Sequence, residues 1–340
     1  MAIVHFLNVL EGDCNIIQHD SGRVSVIDVS NADDNDDTPA EKAKKSSAAR
    51  KNMYHMTVPN GKKDYNQKDS PDNPIEYLKD KLAKNEVFRF IITHPDMDHL
   101  DGIKDFFNSF HVWNIWDTQN NKEITDFNGG GYNKEDWEFY KMIRAGKIGN
   151  RKTYLTPDSY NFFDQDCIQI LAPTQELIND ANECGDYNDC SYVLLFTPKR
   201  GVDKQWKILF AGDSHDKTWS YILQAHRNLV TDVDILIAPH HGRDSNRDYK
   251  FLDTLRPKVT LFGNASSRHL AYDSYRGKTD YRITNNQAGF VIMEVDPNNL
   301  NIYVKNQEFA NEFRNNPKRQ WGNAPFSAKH NAYFLLRYSA

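Results

Sequence analysis

The chain alternates between short apolar runs and polar stretches of very unequal length, and that spacing predicts most of its elements. Apolar segments at 3–10, 14–18 and 23–29, the last two separated by the turn residues Asp20-Ser21-Gly22, read as hairpin strands on one sheet. From 30 to about 73 the chain turns to Asn, Asp, Lys, Ser, Pro and Gly, with acids at Asp33, Asp34, Asp36 and Asp37 and bases at Lys42, Lys44, Lys45, Arg50 and Lys51. A polar insertion at about 31–72 is expected there, long for a connection inside a compact domain.

Periodic structure resumes at Asn73, which has the chemistry of an N-cap: Pro74 follows at the first helical position, Glu76 stands three residues after the cap, and Ile75, Leu78 and Leu82 share a face. The run 87–93 then predicts a buried strand that delivers the chain into His94. Further strands are expected at 112–116, 167–171, 192–196, 206–211, 233–238, 258–262, 289–295 and 300–304, and helices at 134–144, 217–226 and 249–255. Many strands with helices inserted at intervals predict two mixed sheets facing each other with helices outside.

Composition adds limits. Of 340 residues, 39% are hydrophobic and 12% aromatic, enough for a sizeable core and against disorder. Lys and Arg number 42 against 47 Asp and Glu, a net charge of −5, so no global basic footprint points to nucleic acid, although metal ions can supply positive charge locally. No apolar run reaches a membrane-spanning length, and the first ten residues lack a basic leader, so a first strand and a cytoplasmic protein are expected. The four cysteines, Cys14, Cys167, Cys184 and Cys190, form neither a C-x-x-C pair nor a disulfide framework.

The chemistry concentrates at Thr93-His94-Pro95-Asp96-Met97-Asp98-His99-Leu100-Asp101-Gly102, where four imidazole or carboxylate ligands leave an apolar strand within six positions. These are ligand types that Zn, Mn and Fe accept. Capping of the following helix accounts for Asp101 but does not need two histidines. Asp213, after the apolar run 207–211 and Gly212, and His240-His241-Gly242, after 233–238, repeat the arrangement of strand end plus ligand.

With these elements the sequence resembles the metallo-β-lactamase-fold hydrolases, whose pattern is H-x-[HD]-x-D-H, then a Gly-Asp turn, then a histidine before glycine. The nearer likeness is to the hydrolase domain of ComEC-type competence proteins, carried by Val9-Leu10-Glu11-Gly12-Asp13-Cys14, Asp96, Asn188-Asp189-Cys190-Ser191 and His240-His241-Gly242. The resemblance implies a four-layer αββα metallo-β-lactamase-like sandwich over 1–305, with 306–340 as a C-terminal extension. It makes His94 and Asp96 ligands of a first metal, Asp98, His99 and His241 ligands of a second, and Asp213 a bridge. Asp28 would hold a ligand imidazole in its tautomer. Where many relatives carry a third histidine for the first metal, this chain has Asn188 to Ser191, so that site is weaker or more oxygen-rich and the two divalent ions could be Zn2+ or Mn2+.

The resemblance implies a binuclear phosphodiesterase or nuclease acting on DNA or a cyclic nucleotide through a metal-activated water. Candidate catalytic groups are Asp98, His269 as proton donor or phosphate contact, and His240; candidate substrate contacts are Arg268, Asn188 and Ser191. No membrane partner is expected. Carbon-centred hydrolysis of a lactam, lactone or thioester is a second reading, and a metal-stabilised binding module without activity a third. Ligands from His94 to His241 must meet at one centre, so the two domains suggested by length reduce to layers of one.

Overall fold

The strands alternate their side chains between two apolar environments, and that alternation builds the layers. In the computed structural model, which describes residues 1–33, 62–127, 132–158, 162–265 and 269–340, the strands in chain order are β1 (Ala2–Phe6), β2 (Asn15–Gln18), β3 (Val24–Ile27), β4 (Glu86–Ile91), β5 (His111–Trp116), β6 (Arg151–Lys152), β7 (Ile168–Ala172), β8 (Val193–Phe196), β9 (Lys199–Arg200), β10 (Lys204–Gln205), β11 (Ile208–Phe210), β12 (Ile235–Ile237), β13 (Val259–Phe262), β14 (Tyr281–Thr284), β15 (Val291–Val295), β16 (Asn299–Val304), β17 (Phe326–Ser327) and β18 (Ala332–Ser339). A ten-stranded sheet runs β17-β18-β16-β15-β1-β2-β3-β4-β5-β6 and a six-stranded sheet β14-β13-β12-β11-β8-β7.

Between the sheets lie Phe6, Ile17, Ile27 and Ile91 from the large one and Ile170, Leu194, Ile208, Phe210, Ile235 and Ile237 from the small one. The intervening residues face outward. Phe90 and Ile115 pack on Ile103 and Phe106 of the helix Ile103–Ser109 and on Trp137, Tyr140 and Ile143 of the helix Lys134–Arg144. On the other side Leu195, Leu209 and Leu236 pack on Trp219 and Ile222 of the helix Asp216–Ala225. The result is the four-layer α/β/β/α sandwich expected from the pattern.

Several boundaries move for local reasons. The first strand ends at Phe6 because Leu7 N–H donates to the Cys14 carbonyl at 3.0 Å, closing a loop that carries Asp13 inward. The helix begun by Asn73, whose side chain accepts from Ile75 N–H at 2.8 Å, is one α turn that widens to a π turn over Tyr77–Lys81. The helices Gln175–Cys184 and Gln307–Arg314 stand where the apolar pattern predicted none. Residues 306–340 continue the large sheet: β18 pairs antiparallel with β16, and Phe309, Leu335 and Leu336 enter the core between the sheets. Most of the expected insertion lies outside the described residues. Among the described residues no helix is long and apolar enough to cross a membrane.

Strands β3, β4 and β5 are mutually parallel, as are β11, β12, β13 and β14. Their C-terminal ends therefore open on one edge, where ligands gather in parallel α/β sheets.

Candidate metal centre

The carboxylate of Asp213, just past β11, stands among four imidazoles. His99 Nε2 lies 3.2 Å from its Oδ1, and the Nε2 atoms of His94, His240 and His241 each lie 3.6 Å from its Oδ2. Asp98 Oδ2 is 3.3 Å from His241 Nε2, and Asp96 Oδ1 is 3.8 Å from His94 Nε2. Asp98, His99, Asp213 and His241 offer ligand atoms all within 4.8 Å of one another. These residues arrive from the ends of β4, β11 and β12, and Tyr192 N–H, donating to the Thr93 carbonyl at 3.0 Å, ties the two sheets beside them.

Each ring is held from behind. His99 Nδ1 lies 2.8 Å from Asp28 Oδ2, which also accepts the Thr93 hydroxyl at 2.6 Å; that hydroxyl lies 3.0 Å from His94 Nδ1. His241 Nδ1 lies 3.1 Å from Asp13 Oδ1, and His240 Nδ1 lies 2.9 Å from Ser245 Oγ. A hydrogen bond at Nδ1, as His99 and His240 make, selects the tautomer that leaves Nε2 free to ligate. Close backbone approach is part of the construction. Gly12 has φ +68°, and a Cβ there would fall 1.7 Å from the Asp98 carbonyl oxygen.

The donor set fits divalent ions. His94 Nε2, His99 Nε2, His241 Nε2 and Asp213 Oδ1 are buried without a hydrogen-bond partner, an arrangement that costs free energy unless something binds them. Two ligand atoms each 2.0–2.2 Å from one ion stand about 3.0–3.6 Å apart, which matches the spacings around Asp213. Electrostatics agree: burial would lower the His99 and His241 imidazoles, but Asp213 and neighbouring carboxylates outweigh it and raise both well above the ordinary value. Burial would raise Asp213, and the surrounding imidazoles instead hold it well below the usual carboxylate range.

The remaining expected residues fall differently. Ser191 is fully buried, and its hydroxyl accepts the Asp213 N–H at 3.2 Å, which places it behind the Asp213 backbone. Its neighbour Asp189 accepts from His215 N–H, Thr218 N–H and the Thr218 hydroxyl, fixing the loop after Asp213. Asn188 begins that same turn, its N–H donating to Asp186 Oδ1. His269 is exposed, and its carbonyl accepts from Asp244 N–H on the loop after His241. Arg268 lies outside the described residues.

Lys122 carried no sequence signal. Its Nζ lies 2.5 Å from Asp96 Oδ1, on a loop held by Arg144, which donates to the Lys122 carbonyl at 2.6 Å and to Glu123. Arg247 is also unforeseen: it is buried, donates to the Ser214 carbonyl at 2.7 Å, and its Nε and one Nη lack partners.

No protein-family model matches the chain, and no curated protein matches it. Among solved structures it is similar to a diphosphatase of the PhnP family (10% identity, 87% of this chain and 99% of that one, TM-score 0.36). It is also similar to the metallo-β-lactamase fold protein YhfI from Bacillus subtilis (10% identity, 84% and 96%, TM-score 0.36). A third is CmlA, a diiron β-hydroxylase from Streptomyces venezuelae (11% identity, 76% of this chain, TM-score 0.38), of whose length the chain spans 44%.

Proposed function

We propose that the protein is a metal-dependent hydrolase of phosphoryl substrates, a phosphodiesterase or nuclease of the ComEC-type branch of the metallo-β-lactamase fold, using two Zn2+ or Mn2+ ions. The observation that carries this reading is Lys122: a cation at the edge of the ligand cluster, held by Asp96 and braced by Arg144, favours an anionic substrate over a neutral lactam or lactone. DNA or a cyclic nucleotide presents such an anion.

His94, Asp96, Asp98, His99, Asp213 and His241 would hold the ions, which when bound activate water and stabilise negative charge on the attacked centre. The chain supplies the rest. Asp28, Thr93 and Asp13 keep the ligand rings aimed. Lys122 orients a phosphoryl oxygen. His269, exposed on the segment tied to the loop after His241, gives a proton to the leaving group.

The test is a panel with metal-loaded protein: bis-p-nitrophenyl phosphate, single-stranded DNA, RNA and cyclic nucleotides beside a lactam, a lactone and a thioester. Phosphodiester cleavage that disappears in Asp213→Ala, with the fold intact by circular dichroism, is the expected result. Cleavage of carbonyl substrates alone overturns the phosphoryl reading; turnover of none with metal bound points to a binding module.

A further inference from the structure

The first metal position, as the sequence describes it, is short of a ligand. His94, Asp96 and Asp213 supply three donors, and in the segment 188–191 that stands where a third histidine is expected, Ser191 and Asp189 turn their side chains to Asp213 N–H and to the start of the helix Asp216–Ala225.

We propose that His240, which follows β12, fills this place as a protein ligand of the first metal; the proposal rests on the binuclear reading above. Three observations carry it. His240 Nε2 lies 3.6 Å from Asp213 Oδ2, within the same range of that carboxylate as His94 Nε2 and His241 Nε2, so it reaches the shared carboxylate as a ligand ring would. Its Nδ1 is held by Ser245 at 2.9 Å, as Thr93, Asp28 and Asp13 stand behind the rings of His94, His99 and His241. A ring that only met substrate would need no such aim toward a buried carboxylate.

The third observation is the backbone. Successive residues on an extended chain point to opposite sides, yet His240 (φ 54°, ψ 47°) and His241 (φ 56°, ψ 13°) both send Nε2 to Asp213 Oδ2. Two consecutive left-handed residues make this possible. Neither is glycine, so both carry backbone strain of the kind that clusters at ligand clamps. The His240 N–H, donating to the Gly212 carbonyl at 2.9 Å, locks the turn to the residue before Asp213. The first position then has two imidazoles and two carboxylates, His94, Asp96, Asp213 and His240, a set suited to Zn2+ or Mn2+.

The experiment is metal titration of the full chain after chelator treatment, with stoichiometry by elemental analysis and site identity by the visible spectrum of the Co2+ form. His240→Asn is the variant of choice, because Asn tolerates the left-handed backbone and is too short to reach the ion. Wild type should hold two equivalents and His240→Asn one, with the first-position Co2+ bands lost and the second site's affinity unchanged within about threefold. Ser245→Ala should weaken the first position roughly 10–100-fold, as loss of a group behind a ligand histidine does. Two equivalents and an unchanged Co2+ spectrum in His240→Asn would overturn the assignment while leaving a binuclear centre standing. Fewer than two equivalents in wild type would overturn the binuclear reading itself, and this inference with it.

Discussion

Asp28 Oδ2 lies 2.8 Å from His99 Nδ1, while Asp28 Oδ1 accepts the Thr93 N–H at 2.7 Å. One buried carboxylate thus fixes the His99 ring and the strand end that leads into residues 94–99. Asp28→Asn replaces an anionic acceptor with an amide that cannot satisfy both donors. Affinity for divalent metal should fall roughly 10–100-fold, read by competition with a chromophoric chelator; unchanged affinity would show that Asp28 does not support His99.

Gly12 is a second support. At φ +68° with the Asp98 carbonyl in its path, Gly12→Ala combines left-handed strain with a backbone clash, and a loss of more than about 3 kcal/mol is expected. Chemical denaturation of the metal-free protein measures it. A variant as stable as wild type would mean the loop 7–14 is not seated on Asp98 as described.

Lys122 separates a substrate role from a structural one. A charge-assisted hydrogen bond contributes about 1.5–3 kcal/mol, so Lys122→Met should raise KM for an anionic phosphodiester roughly 10–100-fold. It should leave melting temperature within a degree or two, since the side chain is near the surface. Equal KM in both proteins would remove the main support for an anionic substrate.

The pH dependence of stability has a source remote from the metal centre. Burial lowers His5 to about 3 between Tyr77 Oη and Gln18 Oε1, whereas an unfolded histidine titrates near 6.5. The unfolded chain therefore binds the extra proton between these values. This contribution to stability is complete above pH 6.5 and is lost as pH falls toward 3, by about 1.4 kcal/mol per unit. Denaturation of the metal-free protein from pH 7 to 4.5 should show that slope reduced by this amount in His5→Gln; parallel slopes would refute it.

Truncation after Lys305 tests the extension. It removes β18 from its pairing with β16 and takes Phe309, Leu335 and Leu336 from the core. At about 1.5–3 kcal/mol per buried apolar side chain, the loss is comparable to the 5–15 kcal/mol that stabilises a typical domain. Residues 1–305 alone should fail to give a cooperative thermal transition. A sharp melt near that of the full chain would show that the extension is dispensable.

Much of this was readable along the chain because it is local. A short continuous apolar run, as at Ile208-Leu209-Phe210, whose side chains divide between two cores, marks a strand with both faces buried. A run such as 93–102 names its own ligand chemistry by residue type and spacing, and Asn73-Pro74 marks a helix start by capping.

What stayed hidden has no local signature. Lys122 and Ser245 are ordinary polar residues in loops, and they matter only because loop closure sets them against Asp96 and His240. The burial of Ser191 and its bond to the Asp213 N–H are likewise visible only in the folded chain. The C-terminal residues looked separate because strand pairing between β18 and β16 is a relation across space and leaves no periodic trace joining them. The sequence alone determined which side chains could bind metal and which strands would carry them; only the tertiary structure decided that four imidazoles share one carboxylate, because that depends on which strand ends the packed sheets bring to one edge.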